Sequence, residues 1–325
     1  MVTTIKDVAE KAGVTVTTVS RVLNNRGYIS ERTREKVRLV MEELQYQPNE
    51  IARSLTRKRS MVLGMIIPTI AHPFFSEMAN AIENYASGFG YKLLICNSRM
   101  EQSKEKEYID MLKSNRVDGV IMGSHTLDVQ EYINLQRPIV TFDRRIADIP
   151  YISSDNYQGG QLAAQLFISK GCKKVAIISG DLSLDLLSNL RTQGFIETLK
   201  QHQIEPIVFQ LGSDSFDRST YDVLITELIE QHQGLDGIFA SSDIVAMTVI
   251  KAAAARGISI PQQLKLIGYD DISFAELANP AITTIRQPIE AMSKLAVDLL
   301  DKLAQGEQVE LENTLPVTLV ERDTT

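Results

Sequence analysis

The run IKDVAEKAGVTVTTVSRVLN near the N-terminus holds two helical periods, each too short to stand alone, with one glycine between them. Ile5, Val8, Ala9 and Ala12 recur at helical spacing, and Gly13 ends that helix as a C-cap residue would. Thr15 suits the N-cap of a second helix, with Val19, Val22 and Leu23 on one side of it. Two short helices joined by a tight glycine turn form a helix-turn-helix, whose second helix can enter a DNA major groove. A small helical subdomain without a ligand would show the same periods.

Charge separates the two alternatives. Residues 1–60 carry 12 Lys or Arg against 7 Asp or Glu, whereas the whole chain of 325 residues has 34 against 41. The first 60 residues are therefore +5 within a chain of −7. A basic segment on an acidic body points to a local polyanion site.

The same run, followed by YIS, ERTREKV, YQPNEIARSL and later GYDD and TTIRQP, resembles the LacI/GalR family of bacterial transcriptional repressors. The resemblance runs in order from Ile5 to about Arg322. It implies an α/β protein: a three-helix headpiece and hinge helix, then a periplasmic-binding-protein-like core of two doubly wound parallel-sheet subdomains. The expected boundaries are 1–47 for the helix-turn-helix headpiece, 48–60 for the hinge and linker, and 61–325 for the core. Within the core, 61–156 and 288–318 would form one subdomain and 157–287 the other, with a last strand over 315–322.

In the headpiece, Val16 and Thr17 stand at the start of the second helix and Arg21 follows four residues later on the same side. Arg can pair bidentately with guanine, and Val offers only apolar contact, for example to a thymine methyl. The resemblance assigns the reading of bases to these three. Thr15, Thr18, Ser20, Asn24, Tyr28 and Ser30 suit phosphate contacts, or caps and solvated surface. A third helix is expected over 30–46, stopped by Pro48. Next, NEIARSL is too short to be a stable helix in water. The resemblance makes it a hinge helix that forms on DNA, with Asn49, Ala52, Arg53 and Leu55 at the interface and Leu55 wedged into the minor groove.

From Val62 the pattern alternates. Strands are expected at VLGMII, YKLLICNS, VDGVIMGS, PIVTFDR, KVAIISG, IVFQL, DGIFASS, KLIGYDD and LPVTLVER. Helices are expected over about 74–88, 103–114, 129–135, 160–171, 189–203, 219–232, 244–257 and 289–304. Such alternation builds parallel sheets covered on both faces. Ligands of open parallel sheets lie beyond the carboxyl ends of the strands. That rule selects Thr69 to Phe75, Asp143-Arg144, Ser241 to Asp243 and Asp270-Asp271. The resemblance implies chain crossings near Asn156, Gln287 and Thr318. It also implies effector contacts at Asp143, Arg191, Asp270, Phe74 and Ser242, with Phe216 a looser candidate. Thr69, His72 and Arg144 complete the expected site. Carboxylates, a guanidinium and an aromatic face together suit a sugar or sugar phosphate.

Composition sets the remaining bounds. Hydrophobic residues at 44% allow real cores, and no apolar run approaches the roughly 20 residues of a membrane span. MVTTIKDV holds no apolar signal core, so a cytoplasmic protein with no membrane partner is expected. Cys96 and Cys172 read as two free thiols, and the four histidines show no metal spacing, so neither metal nor cofactor is expected. HExxH, GxSxG, a Walker loop and GxGxxG are absent, which speaks against an enzyme. Gly159-Gly160 could cradle an anion or form a turn.

The expected partners are near-palindromic double-stranded operator DNA, a small sugar and a second copy of the chain. No leucine heptads of the kind that make tetramers in this family follow the last strand, so a dimer is expected. Segments such as SSDNYQGG, FDRR and ICNS are most similar to repressors of sucrose and ribose operons in Gram-positive bacteria, with a lean to sucrose or a fructose-containing sugar. A regulator answering to a protein corepressor, and a sugar-binding module without gene regulation, are the alternatives.

Overall fold

In the computed structural model the described residues are 3–47, 59–124, 126, 129–212 and 218–325, with the backbone alone at 129–130 and 218–220. The chain divides into two compact units, Met1–Met61 and Val62–Thr325. The expected hinge contacts Asn49, Ala52, Arg53 and Leu55, and Phe216 of the second unit, lie outside the described residues.

In the first unit, α1 (Ile5–Lys11), α2 (Val16–Leu23) and α3 (Glu31–Glu43) each begin on a hydroxyl. Thr4, Thr15 and Ser30 accept the backbone N–H groups of Asp7, Thr18 and Thr33, which satisfies donors that a helix start leaves open. Gly13, at φ +58°, closes α1 in a Schellman turn, with the Gly13 N–H on Glu10 C=O and the Val14 N–H on Ala9 C=O. Val8, Ala9, Ala12, Val19, Val37 and Val40 then meet as one small core. The third helix stops earlier than expected. Gln45 turns left-handed at φ +47°, and Tyr46 N–H bonds Met41 C=O, so a Schellman turn ends α3 before Pro48 is reached.

The second unit is built on two six-stranded sheets. The first runs β2 (Lys92–Asn97), β1 (Val62–Ile67), β3 (Gly119–Met122), β4 (Ile139–Phe142), β5 (Tyr151–Ser154) and β11 (Glu312–Leu315), all parallel. The second runs β7 (Ile207–Gln210), β6 (Val175–Ser179), β8 (Gly237–Ala240), β9 (Lys265–Asp270), β10 (Thr283–Arg286) and β12 (Thr318–Val320), with only β12 antiparallel. The helices are α4 (Pro73–Ser87), α5 (Gln102–Ser114), α6 (Val129–Ile133), α7 (Asn156–Ser169), α8 (Leu190–Gln201), α9 (Arg218–Gln231), α10 (Asp243–Ala254), α11 (Ser273–Leu277) and α12 (Ile289–Ala304). Each sheet closes its own core, one around Ile66, Leu112 and Val120, the other around Phe167, Phe195 and Phe239.

The chain passes between the two halves after β5, after β10 and after β11. Of the expected strand over 315–322 only Thr318–Val320 is strand, as β12 of the second sheet, and Leu315 is instead the end of β11 in the first. Pro316 lies between them and has no N–H to give to a ladder. Strands β5 and β10, β11 before Leu315, and helix α11 were not expected from the pattern. Among the described residues no helix is long and apolar enough to cross a membrane.

Candidate functional site

On the first unit, the apolar side of α2 turns Val19 inward, fully buried. The opposite side leaves Thr17 and Arg21 exposed one turn apart, and Val16 is exposed beside them at the start of the helix. The flanking polar residues divide. Thr15 and Ser30 are occupied as caps, each also bonded to a second hydroxyl, that of Thr18 or Thr33. Asn24 Nδ2 donates to Ser20 C=O at 2.8 Å and closes the end of α2. Tyr28 is 96% exposed, with its phenol in solvent. An exposed apolar and guanidinium face on a short, capped helix in a basic segment is suited to a groove lined by phosphates.

The second site is a cleft between the halves of the core, about 1240 Å³ including the part open to solvent. It lies at the carboxyl ends of the strands. The ends of β1, β3 and β4 supply His72, Phe74, Phe75, Gly123, Phe142 and Asp143, and those of β6, β8 and β9 supply Ser179 to Asp181, Ser241, Ser242 and Asp270. Gln287 closes it at the second crossing. The halves touch directly across it: Leu187 N–H donates to Asp143 C=O at 2.8 Å, and Glu77 Oε1 of α4 accepts both Ser273 N–H at 2.9 Å and Ser273 Oγ at 2.7 Å.

Arg191 is its central cation. Its guanidinium lies 3.6 Å over the Tyr269 ring, reaches Asn156 Oδ1 through Nε at 3.0 Å and Nη2 at 2.7 Å, and Ser241 C=O through Nη1 at 2.8 Å. Three of its five N–H groups are thereby engaged. Asp143 Oδ1 accepts Ser153 Oγ at 2.6 Å and Asn156 Nδ2 at 3.1 Å. Asp270 Oδ1 accepts Gln287 Nε2 at 2.7 Å. Burial raises the pKa of both carboxyls, that of Asp270 to about 7, while Arg191 pulls both back down. Both acids stand at positive φ, 53° for Asp143 and 106° for Asp270, a backbone conformation kept where surrounding structure fixes it. Behind them Asp243 is fully buried. It accepts Thr284 Oγ1 at 2.6 Å and Ile272 N–H at 2.9 Å, and burial holds its pKa well above the usual range. His72, which precedes Pro73 at the start of α4, is pushed down to about 4 by burial and stays neutral at pH 7. Phe74 and Phe75 both face the cleft, edge to face at 5.3 Å.

Of the residues expected at this site, the fold brings together His72, Phe74, Asp143, Arg191, Ser242 and Asp270. Ser242 also caps α10, its Oγ accepting Val245 N–H at 3.3 Å. Two do not line the cleft. Thr69 turns its Oγ1 back to Ala71 N–H, because the loop after β1 needs a cap. Arg144 points away, 5.2 Å over the Tyr132 ring, beside a fully buried Glu105 that accepts hydroxyls from Ser124, Thr126 and Tyr132. Asp271 is likewise turned out, paired with Arg286 at 2.6 Å and Arg322 at 2.7 Å. Gly159 and Gly160 lie buried inside α7 rather than in a turn. A Cβ on Gly160 would stand 2.0 Å from Arg191 C=O, so this glycine permits α7 and α8 to touch. The sequence reading missed Asn156, Gln287, Tyr269 and the segment from Ser179 to Asn189. The strand-end rule applied to KVAIISG would have found that segment.

Residues 4–49 match the lacI family of bacterial regulatory proteins, and residues 164–325 match the periplasmic binding protein-like domain. The chain is 41% identical to the sucrose operon repressor of Streptococcus mutans, over 98% of either chain. It is 39% identical to the ribose operon repressor of Halalkalibacterium halodurans, over 99% of this chain and 97% of that one. Among solved structures it is similar to the lac repressor dimer bound to operator and the anti-inducer ONPF, with a TM-score of 0.88 and 28% identity over 100% of this chain and 99% of the other. Identity of this order along the full length of both chains, with a matching headpiece and a matching core, means that the protein belongs to the lacI family of bacterial regulatory proteins.

Proposed function

We propose that the protein is a homodimeric transcriptional repressor of a carbohydrate-utilisation operon, controlled by a small sugar held in the core cleft. Val16 and Thr17 read base edges, and Arg21 pairs with guanine. Thr15, Thr18, Ser20, Asn24, Tyr28 and Ser30 meet phosphates and set the register. The hinge residues Asn49, Ala52, Arg53 and Leu55 follow the groove, with Leu55 as an apolar wedge between base steps. Two copies read the two halves of a near-palindrome.

The observation that carries the effector half is the convergence of Arg191, Asp143 and Asp270 beside Phe74 in one cleft. Arg191 keeps two N–H donors, and the Oδ2 atoms of both acids carry no hydrogen bond among the described residues. Vicinal hydroxyls donate to such carboxylates and accept from such a guanidinium, while an aromatic ring covers a sugar face. The names of the relatives support sucrose, or another fructose-containing sugar, ahead of ribose. The sugar acts by preferring one arrangement of the two halves. Moving the population from 1:99 to 99:1 takes about 5.5 kcal/mol of differential affinity. Release of DNA on sugar binding is the proposed sign.

Operator binding tests this directly. DNA from upstream of the protein's own gene is titrated at fixed salt, with sucrose, fructose, ribose or their phosphates added. Release by one sugar is expected. Tight binding that no sugar alters would overturn the effector half, and absence of specific DNA binding would overturn the repressor.

A further inference from the structure

Resting on the reading of this cleft as an effector site, we propose that Asn156 is a positioning residue, whose amide ties Asp143 of one half to Arg191 of the other at the first chain crossing. Asn156 opens α7 directly after β5, and is 1% exposed. Its Nδ2 points to Asp143 Oδ1, Ser153 Oγ and Ser154 C=O, each at 3.1 Å. Its Oδ1 accepts Arg191 Nε at 3.0 Å, Arg191 Nη2 at 2.7 Å and Tyr269 Oη at 3.2 Å. Only one orientation of the amide works. Turned over, it would set its oxygen against a carboxylate and its NH2 against a guanidinium.

The amide dipole thus lies between an anion and a cation that come from different halves. Asp143 follows β4 of the first sheet, and Arg191 stands on α8 of the second half. Rotation about the crossing would separate them, and the amide at the crossing resists it through charge-assisted bonds on both sides. A sugar that touches Asp143 and Arg191 therefore meets a pair whose spacing is already fixed. The charged and titratable groups facing the amide are Asp143, Arg191 and the Tyr269 phenol, with Asp270 next to Tyr269. The neighbouring Asp155 is directed elsewhere, capping α7 through Gln158 N–H at 2.9 Å.

Asn156→Asp keeps the shape and replaces the NH2 donor by an oxygen. At pH 8 two carboxylates then face each other, and at pH 5.5 one shared proton restores a donor. The full-length protein is studied in two ways, by thermal unfolding without ligand and by sucrose titration. The unfolding deficit of N156D relative to wild type is expected to be larger at pH 8 than at pH 5.5. Its sucrose affinity is expected to fall at least tenfold relative to wild type at pH 8 and largely to return at pH 5.5. An unfolding deficit equal at both pH values overturns the proposal, as does wild-type sugar affinity in N156D. If wild type takes no sugar, the effector reading fails, and the unfolding comparison still decides the tie. If N156D does not fold at pH 8, the exchange D143N/N156D restores one donor and one carboxylate and should recover folding. Failure to recover overturns the proposal.

Discussion

Asp270 shows what it costs to bury one acid at the cleft. Its pKa of about 7 in the folded chain stands above the ordinary 3.8, mainly through burial. The folded protein therefore holds a proton that the unfolded chain gives up from about pH 4 upward, and stability falls as pH rises towards 7. Asp143 and Asp243, both raised by burial, act in the same direction. Asp270→Asn should flatten this slope, so that ligand-free unfolding midpoints at pH 5 and pH 8 lie closer together than in wild type, by about 2–4 °C per kcal/mol. The same variant should lose the sugar response. Arg191→Ala should also abolish the response while operator binding stays intact. Because it leaves Asn156 Oδ1 with the Tyr269 hydroxyl alone, takes the guanidinium from Ser241 C=O and removes the cation beside two buried acids, it should lower stability by about 2–4 kcal/mol, read by urea denaturation.

At the scale of elements, the contact between α7 and α8 positions Arg191. Gly160→Ala would press a methyl on the Arg191 carbonyl and Phe195 N–H, so the helices must part. Both a lower unfolding midpoint and weaker sugar affinity are expected, and unchanged sugar affinity would separate helix packing from the cleft. The hinge carries a contrasting expectation. Leu55→Ala should weaken specific operator binding much more than sugar binding, and equal losses would argue against a wedge. Most elements were legible in the sequence because their apolar periods are long: VLGMII and KLIGYDD announce buried parallel strands, and Thr15 and Ser30 announce helix starts. Strands β5 and β10 were not, because YISS and TTIR are four residues long, and half or more polar. The cleft was legible as far as strand ends reveal it. Asn156 and Gln287 escaped because they sit where the chain changes sheets, and no local period marks such a place. Thr69 and Arg144 were over-read for a related reason, since position after a strand does not fix which way a side chain turns.

For the whole molecule, sedimentation at micromolar concentration should give a dimer; a tetramer would contradict the proposal. The topology also limits how such a protein can change its job. The first unit is one unbroken stretch ending at Met61, whereas each half of the core is stitched from separate segments by three crossings. A single recombination event near the linker can give a descendant new DNA addresses while its sugar sense stays intact. No single event of that kind can transplant a whole half of the core, because the sheet of each half is completed by a strand, β11 or β12, from beyond the second crossing. A half moved between relatives must therefore accept its last strand from the other parent and fit an old sheet edge, whereas the first unit can be exchanged whole.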